Sequence, residues 1–208
     1  MRRSCELLTL LTFSSLAAAP VALPQPPADI DLGWADPESL ESGLPVLQLR
    51  KDGRSTIVDA AIVIDAPKRA IWDVLVACEI APDYVPNVVA CRSIDLVDNG
   101  NSELFIQTVK PVFFIPSFEH VFRMDYTRYD RIDVHRVSGP IRQLDATWWL
   151  RERPDGRVTL VYVLTLDPGM PIPRVFVRAT LRRDLPRVLA AISERASAAG
   201  IVADEAAP

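Results

Sequence analysis

Between Val88 and Leu166 the chain reads as a series of strand-like segments separated by short breaks. The segments are 88–97, 103–109, 118–127, 131–137, 141–152 and 158–166. Most breaks carry turn residues, as in Asp98-Asn99-Gly100, Ser138-Gly139-Pro140 and Pro154-Asp155-Gly156. A parallel pair needs a crossover of roughly a dozen residues, so breaks this short require an antiparallel meander. Alternation is clearest in the third segment. Phe118, His120, Phe122, Met124 and Tyr126 share one face, and Glu119, Arg123 and Asp125 share the other. One face of this sheet is therefore apolar and must be covered.

The cover follows in the sequence. After Asp167-Pro168-Gly169 the pattern becomes helical to about Ala198. Val177, Leu181, Leu185, Val188, Leu189, Ile192 and Ala196 form an apolar stripe at helical spacing. Pro186 lies inside it and predicts a kink or break near Asp184, because proline removes a hydrogen bond and crowds the preceding turn. Ahead of the meander, Pro45 to Arg50 and Thr56 to Ile64 flank Asp52-Gly53 and read as a hairpin. Asp65-Ala66-Pro67 then starts a helix with Ile71, Val74, Leu75 and Cys78 on one face, and Pro82 and Pro86 bracket a turn around Tyr84.

The 208 residues suffice for one ordinary domain plus tails. A formal net charge of -4 argues against an electrostatically driven nucleic-acid binder. With two histidines and three scattered cysteines, a Cys/His zinc site is not expected, and no motif calls for another metal or a cofactor. No apolar run reaches the ~18–20 residues a spanning helix needs.

Residues 1–22 read as an export signal. Arg2 and Arg3 precede an apolar stretch from Leu7 to Leu16 and the small residues Ala17, Ala18 and Ala19. This places the protein in the bacterial periplasm or outside the cell; the alternative is a cytoplasmic protein with a frayed start. Residues 23–43, with Pro24, Pro26, Pro27 and Pro37, read as a spacer outside the core. The domain is expected over 44–198, with a disordered tail over 199–208. In an exported protein Cys78 and Cys91 can pair, and closing that loop would contribute about 3 kcal/mol; the alternative is two buried thiols.

The motifs together resemble a known superfamily. They are the run from Ala61 to Pro67, Ile71-Trp72-Asp73-Val74-Leu75, and Tyr84-Val85-Pro86-Asn87. Later come Gly139-Pro140, Thr147-Trp148-Trp149-Leu150, the Gly156 hairpin, Asp167-Pro168 and a proline-bearing C-terminal helix. Their order and spacing over residues 55–197 resemble the START-like, polyketide cyclase/dehydrase-like (SRPBCC) helix-grip superfamily, which includes coenzyme Q-binding-protein-like domains. The glycine such domains often carry two residues before the strand tryptophan is absent, since Ala146 or Thr147 stands there. The resemblance implies an α+β helix-grip fold. A curved antiparallel sheet would wrap a long C-terminal helix, with a short helical pair after the first core strand. It also implies a cavity between sheet and helix for a hydrophobic small molecule such as a lipid, quinone or polyketide.

The expected role is binding, sequestration or transport of that molecule, with an enzyme less favoured. One alternative is a cyclase- or dehydratase-like enzyme using His120, the weak catalytic candidate. Another is an interaction domain with a filled core. The expected wall comprises Tyr84, Phe118, His120, Phe122, Met124, Trp148, Tyr162, Met170 and Leu181. Trp148 is favoured over Trp149 because it shares a face with Leu144 and Leu150. Arg136 joins the wall if Ile132 and Val134 do, and would clamp an acidic ligand group. Phe113 and Phe114 sit between Pro111 and Pro116, and the apolar loop Val112 to Ile115 reads as a lid or membrane-touching loop. Arg174, Arg178 and Arg182 recur every four residues and offer a basic face for transient membrane contact.

Overall fold

A computed structural model describes residues 31–111, 115–169 and 172–205, with side chains to residue 200. The export-signal reading, Val112 to Phe114 and Met170 lie outside the described residues. The compact unit begins at Leu32.

The first hairpin pairs β1 (Val46–Asp52) with β2 (Ser55–Ile64), Asp52 opposite Ser55. The two-residue turn falls on Gly53 and Arg54, one residue later than the Asp-Gly pair suggests. β2 is buried over nearly its whole length because it lies between β1 and the last strand and is covered on both faces. Its Asp59 is held by Arg50 at 2.9 and 3.0 Å. Helix α2 (Lys68–Val76) starts after Pro67 and buries Ile71, Trp72, Val74 and Leu75. A 3₁₀ segment, Cys78–Asp83, completes the helical pair.

This pair carries the chain to the far edge of the sheet. There β3 (Val88–Val97) begins the meander β4 (Ser102–Val109), β5 (Phe118–Thr127), β6 (Arg131–Ser138), β7 (Gln143–Glu152) and β8 (Val158–Asp167). β8 returns beside β2. The sheet is antiparallel and eight-stranded, in the order β1-β2-β8-β7-β6-β5-β4-β3. Its edge strand β3 has two register irregularities against β4.

The long helix α3 (Arg174–Glu205) packs on α2, β2 and β1. Leu189, Ile192 and Ala196 are wholly buried there. The fold is the α+β helix-grip arrangement that the family resemblance implies.

Three local expectations need correction. Residues 23–43 are not wholly a spacer. Asp36 caps a short helix, α1 (Pro37–Glu41), by accepting from the Ser39 N–H at 2.8 Å, and Leu40 is buried. Glu41 of that helix meets Arg153 and Arg157 on the β7–β8 hairpin. The C-terminal helix does not end at 198 but continues to Glu205, with Gly200 against Pro67. Pro186 does not break α3. The carbonyl it leaves without an N–H partner belongs to Arg182, an exposed residue, where water can satisfy it.

Candidate functional site

The inward faces of β4, β5, β7 and β8 do not reach the helix everywhere. A cavity of about 380 Å³ remains between the sheet, α3 and the 3₁₀ segment. That volume lies within the range of small-molecule sites. Period-two alternation on β5 delivers Phe118, His120, Phe122 and Met124 to its wall, while β7 and β8 supply Trp148 and Tyr162. Leu181 comes from α3, and Tyr84 follows the 3₁₀ segment. Trp149 lies on the opposite face, between the guanidinium groups of Arg131 and Arg151.

Arg136 does not join this wall. β6 pairs with β7 only as far as His135 opposite Asp145, and β5 shifts register against β6 between Val121 and Phe122. Beyond His135 the strand keeps its pairing with β5, through Ser138 opposite Val121, but has no β7 neighbour, and Arg136 at this open rim is exposed. Its guanidinium donates to the carbonyls of Ile141 and Gly139. A charge that can stay hydrated does so.

Polar residues that the sequence reading passed over also line the cavity. Gln107 alternates with Phe105 and Val109 on β4, the signal that would have found it. Asp184 faces inward from α3, and both its oxygens accept from Arg183, at 2.7 and 2.9 Å.

His120 is buried, 4 % exposed, between the rings of Phe118 and Phe122. Its Nε2 lies 2.9 Å from Gln107 Oε1, and its Nδ1 has no partner. Gly139 adopts φ +112° beside it, where a Cβ would stand 2.7 Å from that of His120. Burial pulls the imidazole pKa down from 6.5 to about 4. Tyr162 stacks on Trp148 with centroids 3.9 Å apart, and burial pushes its hydroxyl well above the ordinary tyrosine range. The Tyr84 hydroxyl reaches the Val74 carbonyl at 3.4 Å, and Arg195 lies over its ring.

Cys78 and Cys91 are joined in the structure, with Cα atoms 5.4 Å apart. The bond ties the 3₁₀ segment to edge strand β3, and both residues line the cavity. Gln107 Nε2 lies 3.9 Å from Cys91 Sγ. Of the basic face, Arg174 and Arg182 are exposed, whereas Arg178 donates to the Leu49 carbonyl at 3.3 Å. Val175 and Phe176 beside them are 70 % and 57 % exposed.

With this geometry in place, a family profile described as polyketide cyclase / dehydrase and lipid transport matches residues 64–193. The chain belongs to this family. No curated protein matches the sequence. Solved structures share the fold at low identity. A STAR-related lipid transfer protein from Xanthomonas axonopodis is 15% identical, with TM-score 0.63, over 74% of this chain and 93% of that one. An aromatase/cyclase from Streptomyces is 16% identical, with TM-score 0.57, over 69% and 94%. The human StarD13 lipid transfer and protein localization domain is 14% identical, with TM-score 0.60, over 74% and 84%. The matched residues in this polyketide cyclase / dehydrase and lipid transport family member run from the end of β2 through most of α3, and so include most of the cavity wall.

The depressed pKa of His120 sets a pH dependence. The folded value lies below the unfolded one, so the unfolded chain takes up a proton first as pH falls. Above about 6.5 His120 is neutral in both states and contributes nothing to the pH dependence. Between roughly 6.5 and 4 it makes folding progressively less favourable, by about 3 kcal/mol in all. Urea unfolding from pH 7.5 to pH 4 should show wild type losing about that much more stability than His120→Phe. Parallel profiles would refute the assignment.

Proposed function

We propose that this protein binds and carries a hydrophobic small molecule, a lipid, quinone or polyketide-like compound, in the cavity between the sheet and α3. The observation that carries this reading is the largely apolar cavity itself. Burial contributes about 0.8 kcal/mol per CH₂, so an apolar body can be held without catalytic groups. The family description names lipid transport beside cyclase and dehydrase chemistry, and the Xanthomonas neighbour is titled a lipid transfer protein.

The same family supports a cyclase or dehydratase as the second reading, with His120 as its proton-handling group. A general base must bring a nitrogen within reach of substrate. Here the ring's one hydrogen-bond partner among the described residues is the neutral amide of Gln107, so no second titratable group orients the imidazole or shares its proton, which favours binding over catalysis. The leader-like start and the Cys78–Cys91 bond together support export to an oxidising compartment. An intact mass short of residues 1–22, from protein made in its own host, checks export; a full-length mass rejects it. Exposed Val175 and Phe176 beside Arg174 and Arg182 support transient docking on an anionic membrane during loading.

The neutral probe N-phenyl-1-naphthylamine should bind the protein with enhanced fluorescence. Ala146→Phe, which fills the cavity from β7, should weaken that binding at least tenfold while retaining a cooperative thermal melt. Phe176→Asp should slow probe transfer to anionic vesicles without changing affinity. Absence of binding to the wild type, or equal binding by the filled variant, rejects the cavity as the site. Unchanged transfer rates reject the docking face.

A further inference from the structure

The polar groups of the cavity constrain what it can hold. Among the described residues, no lysine or arginine lines it. Segments 112–114 and 170–171 carry no charged side chain in the sequence either. The one ionised residue in the described wall is Asp184, whose oxygens are already taken by Arg183 from the helix surface. A carboxylate or phosphate entering this space would give up its hydration and meet no cation in return.

Among the neutral polar side chains of the wall, which include Asn87 and Thr180, two bear most directly on an occupant. The Tyr162 hydroxyl has no hydrogen-bond partner among the described residues, although its ring is fixed by the stack on Trp148. Burial keeps that phenol protonated at any ordinary pH, so it can both donate and accept. The second atom is Nδ1 of His120, buried and unpaired. Gln107 turns its oxygen to Nε2 and its amide nitrogen to Cys91 Sγ. In that arrangement Nε2 carries the proton and Nδ1 keeps a lone pair. The two residues sit on β8 and β5, three strands apart in the sheet. Buried polar groups in folded proteins are nearly always paired. The His120 Nδ1 is such a group, and the Tyr162 hydroxyl, half-buried on the same wall and without a hydrogen-bond partner among the described residues, is open to pairing by an occupant.

We propose that the cavity selects neutral amphiphiles, compounds with an apolar body and a hydroxyl or phenol group that pairs with the Tyr162 hydroxyl, and discriminates against anionic lipids and acids. This rests on the ligand-binding reading above and narrows it to a ligand class. Pairing at Tyr162 sets affinity among neutral ligands, and the lack of a cavity cation sets the bias against acids.

The test is calorimetric binding of 4-octylphenol, 4-octylanisole and 4-octylbenzoate to the full chain at pH 7.5. The three probes share one apolar body and differ at the head. The phenol should bind at least tenfold tighter than the ether, which cannot donate, and at least tenfold tighter than the benzoate. Tyr162→Phe should bring the phenol-to-ether ratio to within twofold. The wild-type ratios decide the proposal even if that variant folds poorly. Equal binding of all three overturns it and leaves the cavity reading standing. Tighter binding of the benzoate also overturns it. Failure of all three to bind overturns both.

Discussion

The architecture depends on how the apolar stripe of α3 is covered. Its C-terminal half packs tightly, with Leu189 and Ala196 closed off against α2 and the β1–β2 side of the sheet. Toward its N-terminus the same stripe is less well covered, and Leu181 and Leu185 border open space. A curved sheet of eight strands is too wide for one helix to fill. The uncovered part is the inward face of β4 to β8, where the cavity lies. Burial of the stripe and the existence of the cavity are thus consequences of one mismatch in width.

The cavity wall keeps its charges engaged elsewhere. Arg136 escapes to solvent, Asp184 is held by Arg183, and His120 remains neutral because it is buried. The Cys78–Cys91 bond adds a covalent tie between the 3₁₀ segment and the edge strand to that strand's pairing with β4. The stretch between the two cysteines carries Tyr84 and the turn at Asn87, so the bond also sets the position of one wall. A largely apolar space with a few neutral polar atoms suits retention of an amphipathic molecule better than proton transfer to it.

Much of this was legible in the sequence because alternation and helical periodicity are strong signals. The strand segments and the inward set on β5 follow from period two, and the choice of Trp148 over Trp149 follows from face-sharing. What failed depended on interactions that no periodicity records. Arg136 was placed inward by extrapolating the β6 alternation past the residue where pairing with β7 stops. Helix α1 was hidden by the prolines around it, although Asp36 and Pro37 form an ordinary helix start. Pro186 suggested a break, but an exposed carbonyl one turn earlier can turn to water. Gln107 was legible by alternation yet drew no notice, because its importance comes from facing His120 across the β4–β5 ladder.

The most direct test of the central claim is native mass spectrometry of the folded protein after incubation with an organic extract of its own host. The account predicts a one-to-one complex with a small hydrophobic molecule, released on denaturation. Detection of the bare protein alone, at every extract concentration, would contradict it.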